Sequence, residues 1–197
     1  MNLPVFRDLK QKNLILGSKS PRRKELLQQL GLTFTVRTKE VDEVWPQETP
    51  VGQIAEYLST LKANAFEGEL TPNEIVLCAD TTVVVEGEVL NKPENFEHAQ
   101  SMLQKLSGKT HQVISGICVK SHEKHVSQSC VTEVNMRDIS REEIDYYINM
   151  FKPYDKAGSY GIQEWIGAVA ITSIKGSYNN VVGLPTHLVK PMLIELC

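Results

Sequence analysis

The 197-residue sequence lacks the cysteine patterns that hold metals or carry redox chemistry. Its four cysteines lie far apart and include no Cys-x-x-Cys pair and no Cys/His cluster, so neither a zinc site nor a redox-active dithiol is indicated. Long apolar runs are also missing. None approaches the roughly 18 residues of a membrane span, and charges interrupt residues 1–13, where a secretory signal would be apolar. We therefore expect reduced cysteines, no membrane partner and a cytoplasmic location.

An excess of charge of one sign is absent as well. The chain has 21 lysines and arginines against 24 acidic residues, a formal net charge of −3, which gives no reason to expect a nucleic-acid partner. Any anion site must then be a local concentration of positive charge. The five histidines form no triad with a serine, so nucleophilic catalysis has no support, and the chain contains no Walker A phosphate loop.

Segments with helical and strand-like periodicity alternate along the chain, which predicts an α/β fold with a mixed central sheet flanked by helices, in a single domain over residues 1–197. Thr49 and Pro50 are expected to open the second helix, Ser140 and Glu143 to form a capping box, and Pro191 to kink or delay the last helix. The predicted strands are 13–16, 33–37, 75–79, 83–90 with a hairpin, 111–119 and 125–137. The predicted helices are 21–30, 50–67, 93–106, 140–150 and 185–196.

The stretch GSKSPRR joins the first strand to the first helix and carries cations where a helix disfavours them. Free backbone N–H groups at a helix N-terminus bind anions, Ser18 and Ser20 add hydroxyl donors, and Arg22 and Arg23 add charge suited to phosphate. The alternative is a serine cap followed by two solvated arginines.

Lys62 falls within the apolar arc of its predicted helix, between Leu58 and Phe66. A lysine in that position must either extend its ammonium to water or find an anionic partner. The second possibility places this helix face beside a charged cleft.

Two acidic positions are candidates for metal binding or proton transfer. Asp80 follows the apolar run IVLCA, at the strand end where α/β sheets usually bind ligands, and its carboxylate can bind a metal or accept a proton from water. The alternative is that Asp80 starts a turn and that Lys92, in the loop beyond it, is merely solvated. Asp42 and Glu43 form a second acidic pair, for which a solvated loop is the plainer interpretation.

The glycine-rich segment DKAGSYGIQ, residues 155–163, is the remaining candidate. Gly158 and Gly161 permit close approach of the backbone, and the Gln163 amide, both donor and acceptor, could recognise the edge of a nucleobase. A purely structural loop is the alternative.

Taken in order, these segments resemble the Maf family of nucleoside triphosphate pyrophosphatases, and the match extends from Leu14 nearly to the C-terminus. Two departures occur: the usual Leu-Ala-Ser has Gly17 at its centre, and the usual Gly-Lys-Pro begins with Asn91. The matching segments are SKSPRR (18–23), DE (42–43), KA (62–63), ADT (79–81), NKP (91–93), DKAGSYGIQ (155–163) and GSY through GLP (176–185).

The resemblance implies a two-lobed fold similar to inosine triphosphate pyrophosphatases, with the nucleotide in a cleft, and a homodimer. It also implies hydrolysis of the α–β phosphate bond with a divalent cation, Mg²⁺ or Mn²⁺, and Asp80 as the proton acceptor. Arg22, Thr81 and Gln163 match the positions that mark the subfamily acting on dTTP and UTP, whereas a sister subfamily acts on 7-methyl-GTP.

Combining the residues with the resemblance gives a hypothesis in which cationic side chains hold the triphosphate and two carboxylates hold the metal. Removal of non-canonical nucleotides is a possible role of that activity. Because Maf proteins are associated by name with inhibition of septum formation, a nucleotide-binding regulator without catalysis is the alternative, and it would need the cations but not the acids. The expected phosphate ligands are Ser18, Ser20, Arg23, Lys62, Lys92 and Lys156, and the expected metal ligands are Glu43 and Asp80.

Overall fold

A computed structural model describes residues 12–196, over which helices and strands alternate as predicted. Within that range, the strands are β1 (Asn13–Leu16), β2 (Phe34–Val36), β3 (Glu74–Val85), β4 (Glu88–Leu90), β5 (Thr110–Lys120), β6 (His125–Met136) and β7 (Ile171–Lys175). The helices are α1 (Pro21–Gln29), α2 (Ile54–Asn64), α3 (Phe96–Leu106), α4 (Arg141–Phe151), α5 (Trp165–Ala170), α6 (Tyr178–Val182) and α7 (Thr186–Glu195).

The described strands form one mixed sheet in the order β2-β1-β3-β5-β6-β7, with β4 paired to β3. Strand β1 pairs in parallel with β2 and with β3, whereas β3 pairs with β4, and β6 with β7, in antiparallel fashion. The mixed α/β class is therefore confirmed.

Strand β3 does not end at Asp80, and the prediction that this carboxylate follows a strand end is wrong. The strand continues for five more residues, because Thr81–Val85 are all β-branched and favour extended backbone. The hairpin to β4 turns at Glu86 and Gly87, whose φ angles of 52° and 80° are both positive, as a tight two-residue hairpin requires.

The helix starts show where local patterns suffice and where they fail. Ser140 and Glu143 form the predicted capping box of α4. The predicted opening of the second helix by Thr49 and Pro50 is wrong: Pro50 is extended, a 3₁₀ turn covers Val51–Gln53, and α2 begins only at Ile54. Gly52, a poor helix former, lies in the delayed turn. Helix α7 begins at Thr186 and continues through Pro191.

The chain forms two compact units, each with its own core. Within the described residues, unit 1 comprises 12–80, 115–130 and 183–196, and unit 2 comprises 81–114 and 131–182. The core of unit 1 includes Ile15, Phe66 and Val76, and that of unit 2 centres on α3 and α4. No helix in residues 12–196 is long and apolar enough to cross a bilayer. That the whole of 1–197 is a single domain stays a prediction.

The cysteines of unit 1 are reduced. Cys78 and Cys118 are fully buried free thiols, and burial raises their pKa values to about 12 and about 11. Cys130 is half-buried and also free. Gly17 packs directly on Cys78, because a methyl group at position 17 would overlap the sulfur atom. Cys197 and residues 1–11, with the predictions made for them, lie outside the described residues.

Unit 2 contains a buried histidine that is kept neutral. His111 on β5 is 1% exposed, and its Nε2 lies 2.7 Å from the hydroxyl of Tyr160, while its Nδ1 has no partner in the described structure. Burial lowers the pKa of His111 to about 4 from an ordinary value near 6.5.

We expect the stability of the protein to fall with acidification between pH 6.5 and 4. In that window the unfolded chain binds a proton at His111 that the folded chain excludes, so this contribution is complete above about pH 6.5 and lost towards pH 4. The shift corresponds to about 3 kcal/mol of unfolding free energy. Urea denaturation at several pH values measures it. In this window the free energy of unfolding should depend less steeply on pH in His111→Gln than in the control His187→Gln, which replaces an exposed histidine. Equal slopes of unfolding free energy against pH in the two variants would contradict the role of His111.

Candidate functional site

The start of helix α1 is built to present donors to an anion. Ser20 is extended and caps the helix, its hydroxyl accepting a hydrogen bond from the backbone N–H of Arg23, and Pro21 occupies the first turn. No acidic side chain lies in that first turn. The positive end of the helix therefore remains available to an external negative charge.

Arg23 organises the loop that precedes this helix. Its Nη1 donates to the Ser18 hydroxyl at 3.2 Å and its Nε to the carbonyl of Gly183 at 2.9 Å. The Ser18 hydroxyl also accepts from the backbone N–H of Ser20. Burial lowers the pKa of Arg23, and the carboxylate of Asp80 opposes that shift. The guanidinium thus ties together two segments that the sequence separates by 160 residues.

Lys62 meets two carboxylates instead of extending to water. In the last turn of α2, its ammonium lies 2.8 Å from Glu43 Oε1 and forms an ion pair with Asp80 Oδ1. The Lys62 and Asp80 side chains are 15% and 11% exposed, so the charges compensate each other in a partly desolvated setting. Of the two possibilities that the sequence left open, the structure favours the anionic partner.

The donor set around Lys62 fits a divalent cation. Glu43 and Asp80 already share one cationic group, and carboxylate oxygens are the ligands that Mg²⁺ and Mn²⁺ prefer. Residues 12–196 contain no cluster of three or more acidic, histidine or cysteine side chains suited to a metal. Two carboxylates suffice for Mg²⁺, which usually completes its shell with water and substrate phosphates.

Most of the predicted phosphate and metal ligands lie in unit 1, as does Arg22. The other predicted site residues belong to unit 2: Thr81, Lys92, Lys156 and Gln163. Thr81 follows Asp80 on β3 and is half-buried, and Lys92 is exposed beyond the hairpin. Gln163 is exposed and lines an open cavity of about 400 Å³ together with Tyr178. Arg22 is half-buried on the first turn of α1.

Two residues of unit 2 that are candidates for function, Glu164 and Tyr147, were not predicted from the sequence. Glu164 pairs with the buried Lys156 at 3.1 Å and accepts a hydrogen bond from the Tyr147 hydroxyl. Tyr147 lies on the core-facing stripe of α4 with Ile144 and Ile148, where a buried hydroxyl needs a hydrogen-bond partner. This position of a tyrosine among apolar residues is the sequence pattern that could have indicated Tyr147. Glu164 offered no comparable pattern.

The mixed sheet and the cationic helix start beside paired carboxylates are features of α/β proteins that bind phosphorylated ligands. Among solved structures, the Staphylococcus aureus Ham1 protein aligns with a TM-score of 0.44 and 16% identity, over 64% of this chain and 73% of that one. A dTTP/UTP pyrophosphatase of Flavobacterium psychrophilum is 48% identical over 92% of this chain and 93% of its own length. A dTTP/UTP pyrophosphatase of Flavobacterium johnsoniae is 47% identical over 95% of this chain and 97% of its own length.

The family model described as Maf-like protein matches residues 13–196. The chain therefore belongs to the Maf-like protein family, and the resemblance expected from its motifs is confirmed.

Proposed function

We propose that this chain hydrolyses the α–β phosphate bond of dTTP and UTP, releasing the nucleoside monophosphate and pyrophosphate. The observation that carries the proposal is its near-full-length similarity to relatives named dTTP/UTP pyrophosphatase. The charge arrangement of unit 1 supports it. Three positive charges, on Arg22, Arg23 and Lys62, outnumber the two negative charges of Glu43 and Asp80. A net positive site with paired carboxylates suits a metal-bound polyphosphate.

Several groups around the start of α1 can bind phosphate. The positive end of the helix dipole, the Ser18 and Ser20 hydroxyls and the two arginines can each stabilise phosphate oxygens. The negative charge that develops on the departing pyrophosphate increases the value of these fixed donors in the transition state.

Asp80 is the proton acceptor in this proposal. Its carboxylate is partly buried beside Lys62, which keeps one oxygen oriented. A water molecule attacks the α-phosphorus as the bond to the bridging oxygen breaks, its proton passes to Asp80, and pyrophosphate leaves. Glu43 and Asp80 would hold a divalent cation, whose chemistry is to neutralise phosphate charge.

A nucleotide panel tests the function. Purified protein with Mg²⁺ or Mn²⁺ is incubated with the common nucleoside triphosphates and 7-methyl-GTP, and pyrophosphate and phosphate are measured separately. We expect pyrophosphate and monophosphate, fastest from dTTP and UTP. Phosphate alone would refute α–β cleavage, preference for 7-methyl-GTP would indicate the sister subfamily, and tight binding without product would favour a regulator.

Arg22→Ala should mainly weaken the nucleotide complex and change which nucleotide is preferred. Arg22 matches a position that marks nucleotide selectivity in the family, and losing a charged hydrogen-bond donor of this kind raises KM by about tenfold or more. The values of kcat/KM for dTTP, UTP, dCTP and dGTP measure the effect. Lys24→Ala, which removes an exposed charge two residues along α1, is the control. Unchanged selectivity in Arg22→Ala would count against the specificity role.

We also propose, from the resemblance alone, that the protein is cytoplasmic and homodimeric. Light scattering after size-exclusion chromatography tests the second point, and a molar mass of 22.1 kDa would indicate a monomer.

A further inference from the structure

The carboxylate of Glu164 is directed away from the helix that it precedes. Glu164 occupies the N-cap position of α5, yet its side chain makes no capping hydrogen bond. Instead, one oxygen accepts from the Tyr147 hydroxyl and the other pairs with the Lys156 ammonium at 3.1 Å. The Tyr147 hydroxyl in turn accepts the backbone N–H of Gly161 at 3.0 Å. Glu164 thus reaches both ends of the glycine-rich segment 155–163.

These contacts are buried enough to constrain the loop. The side chain of Lys156 is 9% exposed and that of Glu164 is 19% exposed, while Tyr147 is inaccessible to solvent. An unpaired charge at such depth is costly, so the ammonium and the carboxylate hold each other in place. We call Lys156, Glu164 and Tyr147 the loop clasp.

The side chains of Gln163 and of Glu164, a member of the loop clasp, both lie close to Gly161. A Cβ at Gly161 would lie 2.9 Å from Glu164 Cδ, closer than ordinary Cβ contacts, and 3.1 Å from Gln163 Nε2, a tight contact that a small movement of the amide would relieve. The absence of a side chain at Gly161 therefore lets the amide of Gln163 and the carboxylate of Glu164 lie against the backbone. Gln163 directly precedes Glu164, and both side chains lie near Gly161, so the amide and the clasp share one short backbone segment.

The Lys156 ammonium already has two carboxylate partners. It pairs with Asp155 at 2.7 Å and with Glu164 at 3.1 Å, and its side chain is 9% exposed. A phosphate would have to displace one of these carboxylates from a poorly accessible ammonium. The phosphate-binding role expected for Lys156 from the resemblance remains a prediction, and these contacts support a different one.

We propose that the loop clasp positions Gln163 for selection of the nucleobase and that Lys156 is a positioning residue that does not contact phosphate. The inference rests on the proposed function and goes beyond it, because it assigns roles to Glu164 and Tyr147. A glutamine amide in one fixed orientation pairs its donor and acceptor with a carbonyl and the N–H of the thymine or uracil imide, whereas the amino edge of cytosine presents the reverse order.

The first experiment separates positioning from phosphate contact. Glu164→Gln, Lys156→Met and the double variant are compared for the ratio of kcat/KM with dTTP to that with dCTP, and for inhibition by pyrophosphate. We expect each single variant to lower the ratio by about tenfold and the double variant to be no worse, since the residues act as one unit. The inhibition constant of pyrophosphate should change by less than about threefold.

The matched control is the exposed pair of Lys175 and Glu133, 3.2 Å apart in the same unit. Lys175→Met and Glu133→Gln should leave both quantities unchanged. If Lys156→Met raised the inhibition constant of pyrophosphate tenfold or more and left the dTTP/dCTP ratio unchanged, Lys156 would be a phosphate ligand and the proposal would fail. Independent losses that multiply in the double variant would equally overturn it.

A second readout does not depend on activity. Hydrogen exchange of the Gly161 amide, followed by NMR on labelled protein, should accelerate about tenfold in Tyr147→Phe, which removes its acceptor, and also in Glu164→Gln. Unchanged exchange in both variants would overturn the clasp. If the wild-type protein released no pyrophosphate from any nucleotide, the proposed function would fail, while the exchange rates would still decide whether the clasp exists.

Discussion

Asp80→Asn is expected to lower the turnover of dTTP by about 10²–10⁴-fold, the usual contribution of a positioned general base. Asparagine has nearly the same shape and keeps an oxygen for Lys62, but it cannot accept a proton. We therefore expect the nucleotide affinity to change by only a few-fold. Single-turnover kinetics give the chemical rate, and equilibrium titration with nucleotide gives the dissociation constant.

The control for this variant is Asp42→Asn, which removes an exposed carboxylate next to the proposed metal ligand Glu43. It should retain wild-type turnover. Near wild-type turnover in Asp80→Asn would exclude this residue as the base, and a large loss of affinity with unchanged turnover would assign it to binding alone.

Arg23→Lys is expected to lower kcat/KM by about 10–100-fold even though the positive charge is kept. The guanidinium makes two divergent contacts, to the Ser18 hydroxyl and to the Gly183 carbonyl, which a single ammonium cannot reproduce. Each charged hydrogen bond contributes about 1.5–3 kcal/mol, and 1.4 kcal/mol corresponds to a factor of ten. Steady-state kinetics with dTTP measure the effect, and the urea midpoint reports any loss of folding.

Arg141→Lys is the matched replacement at an exposed arginine, and it should have no effect on kcat/KM. If Arg23→Lys retained full activity, charge alone would account for the role of Arg23, and its contacts to two separate segments would be irrelevant to function. Arg23→Met should be worse than Arg23→Lys, because it removes the charge as well.

Local patterns predicted the features that depend on neighbouring residues. The start of α1 at Pro21, the capping box of α4 and the boundaries of β1 follow from short sequence segments and agree with the structure. The position of Lys62 on an apolar helix face restricted its ammonium to water or an anionic partner, because an isolated buried charge is too costly to persist, and the structure shows the anionic partner.

Contacts between distant segments could not be predicted in the same way. No spacing links Arg23 to the Gly183 carbonyl, or Tyr147 to Glu164, since each depends on the packing of separate elements. The failures at Thr49 and Asp80 have local causes that competed with the pattern used. A glycine delayed the helix, and a run of β-branched residues extended the strand past its expected end.

The contact between Gly17 and Cys78 makes substitutions at these two positions depend on each other. Alanine at position 17 would overlap the sulfur of Cys78, and overpacking of this kind costs about 1–3 kcal/mol. A smaller residue at position 78 would remove the overlap, so the tolerance of position 17 for alanine is set by the residue at position 78. The backbone that leads into Ser18 is thereby coupled to a residue two positions from Asp80.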